Sequence, residues 1–351
     1  MFQILIKKLA YGIVVLFGVV VIVFLVFQAF GDPARMVLGQ TGDKKTMENI
    51  RKELYLDQPK WKQFVFYVDD ISPISVDSKQ EIKEKGLRGF FIPVGNNENI
   101  AFKIPYLRRS YQTKKQVTEV LMEALPGTIM LAMAAMFFAI IVGILLGIVA
   151  AVKQNTWIDT TSVFASVIGI SAPSFFMAIV IAYIFGLVLH DYTGLSLTGS
   201  WFNIDPVTGQ RHLTLQNLIL PALTLGIRPL SIITQLTRSS MLDTLNQDYI
   251  RTAYAKGLSK RKVVLHHALR NAINPVLTAV TGWFAELLAG AFFVEYIFGW
   301  QGIGKVTVDA LEKLDYPVVM GSVLLAATVF VLMNIFADIL YGVIDPRVKM
   351  K

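Results

Sequence analysis

The chain has 351 residues, 54% of them hydrophobic and 17% charged, with a mean hydropathy of +0.55 and a formal net charge of +8. A soluble domain carries about a quarter charged residues, so this composition points to lipid as solvent. With no cysteine, disulfides, thiolate catalysis and zinc–cysteine sites are excluded, and the basic excess sits at the ends of apolar runs rather than on one stripe, which argues against nucleic acid as partner.

From the N-terminus, the first apolar stretch, Leu9–Phe30, follows Lys7 and Lys8. It is longer than the hydrophobic region of a signal peptide and lacks a small-x-small exit, which predicts an uncleaved membrane anchor. Next comes the polar, mixed-charge segment Gly31–Glu123, with an amphipathic helical stretch at Thr46–Leu54 and a polar tract at Ser72–Gly89 that the pattern does not assign. Five further stretches, Leu125–Val152, Thr160–Leu189, Leu213–Thr237, Ile273–Val294 and Pro317–Ile344, are apolar over the ~20 residues needed to cross the hydrocarbon core. Arg228 and Pro229 interrupt the fourth. The expected fold is all-α and integral to the membrane, with six transmembrane helices and a large external insertion between the first two.

Charge in the short loops sets the direction. Lys7, Lys8, Lys153, seven basic residues from Arg238 to Arg270 and three after Ile344 fall on one side; the opposite short loops hold Arg211, Lys305 and Lys313 against six acids. The positive-inside rule then places both termini in the cytoplasm. The insertion lies outside, its sixteen basic residues being no obstacle because long segments translocate regardless of charge. The expected organisation is 1–30 as cytoplasmic end and first span, 31–115 as external region, 116–344 as a five-helix core with a cytoplasmic loop at 238–272, and 345–351 as cytoplasmic tail.

The largest cytoplasmic loop contains Tyr249, Arg251, Thr252, Ala253, Ala255, Lys256, Gly257, Leu258 and Ser259, and runs on to Pro275. Local chemistry predicts one short helix ending at Gly257, which can take positive φ, and a second beginning at Ser259, whose hydroxyl can cap it. Ala253 and Gly257 are four apart and are expected to share a face poor in side chains, open to another protein. Arg251, Lys256, Lys260, Arg261 and Lys262 would rim that face. The plainer alternative is a basic loop held by anionic lipid headgroups. The ordered alanines, the glycine and the segment His267, Ala268, Leu269, Arg270, Asn271, Ala272 favour a protein partner.

Asp248–Ser259, His267–Ala272 and Pro275 resemble the EAA loop of bacterial binding-protein-dependent ABC permeases, in the form used by the B-type permeases of the dipeptide, oligopeptide and nickel subgroup. Arg251 stands where the general pattern has glutamate, and the Ile-x-Leu-Pro ending is absent; both departures are typical of that subgroup. Gly31–Ala34, Leu56–Pro59, Tyr106–Ser110, Glu123–Thr128, Gly299–Gly304, Asp315–Pro317 and Asp345–Arg347 extend the resemblance over nearly the whole chain. Gln301 replaces the usual proline, and Ile71–Lys103 is longer than the family's usual loop.

The resemblance implies that the loop docks in a cleft of an ATPase subunit and transmits nucleotide-driven movement, with Tyr249, Arg251, Thr252, Ala253, Ala255, Lys256, Gly257, Leu258, Ser259, His267, Leu269, Arg270 and Asn271 as its coupling residues. It implies a transport subunit of an ATP-driven importer in the inner membrane, surrounded by lipid. The path is formed with a second, homologous permease, two cytoplasmic ATPase subunits use ATP and Mg, and an external solute-binding protein delivers the cargo. No catalytic residue, metal or bound cofactor is expected in this chain. Peptides are the favoured cargo by subgroup; nickel chelates and oligosaccharides stay open.

Two further features need separate readings. Gly299–Lys305 has the spacing G-x-x-x-x-G-K, but Val306 supplies no hydroxyl for magnesium and no strand–helix context supports a phosphate loop. A glycine-rich external hairpin or re-entrant turn is expected instead. Glu286 lies deep in the fifth span with Gly282 and Gly290 four residues to either side, so the three share a face. It either borders the translocation path, meets the partner permease, or makes a structural hydrogen bond. An ion-coupled secondary transporter, the rival class, calls for inverted repeats and several midplane acids; Glu286 alone qualifies.

Overall fold

Long apolar runs with few breakers give long helices here; the chain breaks before Pro173 but stays helical through Pro126, Pro229 and Pro275. The computed structural model describes residues 2–29, 51, 55–94, 97–204, 211–289 and 291–344. In chain order the elements are α1 (Phe2–Ala29), α2 (Lys60–Ile71), β1 (Ile74–Ser78), α3 (Lys79–Lys85), β2 (Gly89–Val94), β3 (Glu98–Lys103), α4 (Val117–Val152), α5 (Trp157–Ser171), α6 (Ser174–Tyr183), β4 (Phe202–Ile204), β5 (Arg211–Leu213), α7 (Ile219–Leu245), α8 (Asp248–Ala255), α9 (Leu269–Ala289), α10 (Phe292–Ile297), α11 (Ile303–Glu312) and α12 (Tyr316–Ile344). The expected helix at Thr46–Leu54 lies outside the described residues except for Arg51, as do Gly31–Ala34 and Asp345–Arg347.

The protein is mostly helical. Among the described residues α1, α4, α7 and α12 are long and apolar enough to cross a membrane, and α5 with α6 makes a fifth if the bent pair counts as one span. Two of the six expected spans come out differently. Thr160–Leu189 is not one helix: the chain turns extended at Ala172, before Pro173, and the two halves meet at 110°. Proline disfavours helical backbone in the residue before it, which accounts for the break. The fifth stretch forms α9 (Leu269–Ala289), which ends where the described residues break off, and it is not among the candidate spans of the described residues. Conversely, Arg228 and Pro229 do not interrupt the fourth stretch; α7 runs through both.

The described chain divides into two units. The first comprises residues 1–12, 126–305 and 329–351. Its spine is α7, with 56% of its most apolar window buried against 11% for α1. Small residues bring α4 and α7 together: a Cβ on Gly143 would lie 3.0 Å from the Leu230 carbonyl oxygen, and one on Gly147 2.7 Å from that of Thr234. Ile233 packs there with Ala132, Ala135, Met136 and Ala139 of α4 and Val276, Leu287 and Leu288 of α9. Asp159 ties the start of α5 to α7 through a two-pronged pair with Arg238, whose second nitrogen donates at 2.8 Å. Asp338, near the end of α12, pairs with Lys8.

The second unit comprises residues 13–125 and 306–328. Its polar tract Ser72–Gly89 is ordered: Ser78 and Glu81 form a reciprocal capping box at the start of α3, and Gly86 ends that helix with φ +63°. The three strands form an antiparallel sheet in the order β1-β3-β2, with Asp77 opposite Asn99 and Ser75 opposite Ala101. Its polarity is inverted. Ser75, Asp77, Asn99 and Lys103 are buried, while Ile74, Val76, Phe90, Ile92, Val94 and Phe102 are exposed.

The Lys103 and Asp77 side chains are 0% and 1% exposed and meet at 3.1 Å. In the same unit Asp70 accepts a hydrogen bond from Lys85 at 2.8 Å and lies 3.6 Å from Arg108. Burial pulls the Lys85 ammonium down, but the Asp70 charge and hydrogen bond outweigh it and hold its pKa above the usual lysine range. Asp315 organises the end of this unit, accepting from the backbone N–H groups of Tyr111 and Gln112 at 3.0 and 3.3 Å and from the Ser110 hydroxyl.

Two outcomes follow from this packing. Lys103→Met alone should destabilise the second unit by about 3–5 kcal/mol, because it strands a buried carboxylate, and pairing it with Asp77→Leu should recover most of the loss. A double-mutant cycle in thermal melts of the detergent-solubilised protein measures both. Gly147→Val should destabilise the first unit by about 1–3 kcal/mol through overpacking against α7, read as a lower melting temperature, whereas Gly282→Ala should not, since a Cβ there meets nothing within 4 Å.

Candidate functional site

Three constellations in the first unit carry the polar chemistry. The first is the loop after α7. Helix α8 stops at Ala255, and Gly257 takes φ +79°. The Leu258 N–H donates to the Ala253 carbonyl at 3.3 Å and the Gly257 N–H to that of Tyr254 at 2.9 Å, a Schellman ending that needs a residue able to adopt left-handed backbone. Ser259 occupies the N-cap position of the next helical turn with extended backbone, but its hydroxyl makes no cap bond. A π-helical turn, Val263–Ala268, then runs straight into α9. Asn271 donates to the Tyr249 hydroxyl at 2.7 Å, fastening α8 to the base of α9.

The loop's faces differ from the expected ones. Ala253 is buried, packed with Met241, Ile250, Val263, Val264, Ala268 and Ala272. Gly257, exposed beyond the helix end, is not on one surface with it. Ala253 is small because the chain's own core closes over it, so no side-chain-poor docking face forms from that pair. The outward face of α8 carries Arg251, Thr252, Tyr254 and Ala255, with Lys256 exposed just past its end and Tyr249 and Tyr254 about equally exposed at 42% and 43%. Lys260, Arg261, Lys262 and Arg270 are also exposed, His267 and Leu269 half-buried. Tyr254 was absent from the expected set; nothing in its spacing distinguishes an outward tyrosine from an inward one until the register of α8 is known.

The second constellation explains the phosphate-loop look-alike. Glu295 of α10 is fully buried, and its carboxylate accepts from the Gly304 N–H at 2.7 Å, the Lys305 N–H at 3.2 Å and the Thr128 hydroxyl at 2.8 Å. Thr128 in turn accepts from the Ile303 N–H, and the Trp300 indole donates to the Gly127 carbonyl, both at 2.9 Å. The N-terminus of α11 therefore holds an anion, as a helix N-terminus favours, but that anion is the chain's own carboxylate. A Cβ at Gly302 would lie 2.5 Å from the Glu295 carboxyl carbon, so the glycine makes room for it. Glu123–Thr128 and Gly299–Gly304 are separate motifs in the sequence, and Glu295, which joins them in the structure, carries no spacing signal of its own.

The third is a pocket of about 200 Å³ between α7 and α9, with Arg228, Trp283 and Glu286 among its walls. The Arg228 guanidinium lies over the Trp283 ring, 5.4 Å from its centroid. Arg228, Gly282 and Glu286 are exposed; Gly290 lies outside the described residues. Among the described residues no group of three or more His, Asp or Glu is placed to hold a metal ion.

The comparisons with known proteins fit this arrangement. The family of binding-protein-dependent transport system inner membrane components matches residues 143–350, and the N-terminal segment of the same membrane components matches residues 1–132. The chain belongs to that family. It is 36% identical to the dipeptide transport system permease protein of Alkalihalophilus pseudofirmus, over 98% of each chain. It is 43% identical to that of Haemophilus influenzae, over 68% of this chain and 76% of the relative. The glutathione transport system permease protein of Escherichia coli K12 is 34% identical over the whole length of both. This permease is thus a multi-pass inner-membrane transport subunit, not an enzyme, of a system that works with ATPase subunits and a binding protein.

Glu295→Ala in the permease should cost roughly 2–4 kcal/mol, because it orphans the Gly304 and Lys305 N–H groups in a closed site. Glu295→Gln, which keeps an acceptor, should cost less. Chemical denaturation of the purified permease distinguishes the two.

Proposed function

We propose that the permease imports peptides, together with a second homologous permease, and that the α8 loop is where the ATPase subunits grip it. The observation that carries the grip is the two-sided build of α8. Its inner face is anchored on the ends of α4 and α7 through Ala151, Met241, Ile250 and Ala253, and its outer face is exposed, with two tyrosines and a basic rim. A lever needs both a rigid seat and an open face. Tyr249, Arg251, Thr252, Ala255 and Lys256 then touch the ATPase, whereas Ala253, Leu258, Leu269 and Asn271 shape the loop. Gly257 and Ser259 set its turn, and His267 and Arg270 flank it.

In this reading α9 and the bent α5–α6 pair complete a six-helix permease with both termini in the cytoplasm, an external region at 31–115 and a helical core at 116–344. The positive charge on the α8 side supports that direction. The open face of α9 at Gly282, where a Cβ would meet nothing, supports close approach of the second permease. The named cargoes of the relatives, dipeptide and glutathione, support a peptide over a nickel chelate or an oligosaccharide. ATP and magnesium belong to the ATPase subunits.

Ala255→Trp adds bulk on the exposed face only. In proteoliposomes holding the whole importer, it should cut ATPase activity stimulated by the loaded binding protein at least ~10-fold, the scale of losing a small interface anchor, with the permease melting as wild type. Unchanged stimulation would remove the loop from the coupling role.

A further inference from the structure

Arg228 sits well inside α7, a candidate span, and is exposed rather than packed away. Glu286, on α9, is exposed in the same pocket. Charges at such positions face a water-filled cavity or a partner of opposite sign. These two are of opposite sign, yet they form no ion pair with each other, and among the described residues no side chain satisfies the Glu286 carboxylate. Arg228 instead rests on Trp283, which holds the guanidinium by its π face and leaves the N–H edge free to donate. The remaining wall includes Phe293 and Leu287, apolar surface beside the charges. The pocket therefore offers a fixed cation, a fixed anion and a greasy floor.

We propose that this pocket is a subsite on the translocation path for the two charged ends of a short peptide. Arg228 binds the α-carboxylate, Glu286 binds the α-ammonium, and the aromatic wall takes a side chain. The planar fork of a guanidinium matches a carboxylate in two parallel hydrogen bonds, and a carboxylate is the natural acceptor for an ammonium. A neutral sugar would use neither charge, and a metal chelate would not need both at once. The subsite rests on the peptide reading above and narrows it to zwitterions with both termini free.

The chain has no cysteine, so a single introduced thiol is its only one. Ser174 is exposed in the pocket wall and is neutral. In the intact importer, Ser174→Cys is treated with a charged, membrane-impermeant methanethiosulfonate, and the mass shift of this chain is followed. A free dipeptide should slow labelling at least ~10-fold, the scale set by losing a hydrogen bond to a charged group, while its N-acetyl or C-amide analogue should not. Adding Glu286→Gln should abolish the preference for a free amino end, and adding Arg228→Gln the preference for a free carboxylate. Binding-protein-driven uptake of labelled dipeptide by each variant is measured alongside, with assembly read by co-purification of the second permease.

Equal protection by free and capped peptides, or full protection and uptake in both charge variants, overturns the subsite. Loss of permease pairing on neutralising either charge also overturns it, because the charges then serve the interface. If the wild-type importer takes up no peptide, the peptide reading itself fails; if it does so without this pattern, only the subsite fails.

Discussion

The approach of α4 to α7 at Gly143 and Gly147 is the contact on which the rest of the first unit depends. Lipid supplies no hydrophobic force between helices, so association there relies on close packing, and glycine gives the closest. A side chain at either position would meet a backbone carbonyl oxygen at about 3 Å or less. With that distance set, Ile233 can close the middle of the bundle, and α9 and α5 pack on the other faces of α7. One continuous helix then runs from Arg228 in the pocket to Met241 under the loop, about 20 Å at 1.5 Å per residue. In the proposed reading, that spine is how a pull on α8 reaches the cargo.

The second constraint is satisfaction of polar groups. Glu295 takes the free N–H groups at the start of α11, Asp159 closes the α4–α5 turn by accepting from the Asn155 N–H at 3.0 Å, and Asp315 gathers three donors in the second unit. Each is an acid whose lone pairs are filled by its own chain. Glu286 is the contrast. An unfilled carboxylate beside an exposed guanidinium is expensive to maintain in a membrane protein unless something comes to fill it.

Several features were legible from residue order alone. The apolar runs of α1, α4 and α12 stand out by length, and Gly257 announces a left-handed helix ending because few other residues tolerate one. The loop motif and the polar insertion after α1 were readable too. The role of Ala253 was not. An alanine that leaves space for a partner and one that leaves space for the chain's own core look the same in sequence, and only the register of α8 against Met241 and Val263 separates them. The sequence stretch Thr160–Leu189 reads as one span, and the break before Pro173, with its 110° bend, appears only in the structure.

What the sequence by itself determined is the solvent, the helical content and the family signature. All three follow from local composition and short spacing, which act whatever the rest of the chain does. Tertiary structure alone decided which charges are spent and which are open. Glu295 and Glu286 lie nine residues apart, both acids in apolar surroundings. The fold folds Gly302, Gly304 and Thr128 around one and leaves the other facing Arg228 across a pocket. That outcome rests on contacts between residues more than a hundred positions apart, Thr128 with Glu295 among them, and no local pattern encodes it.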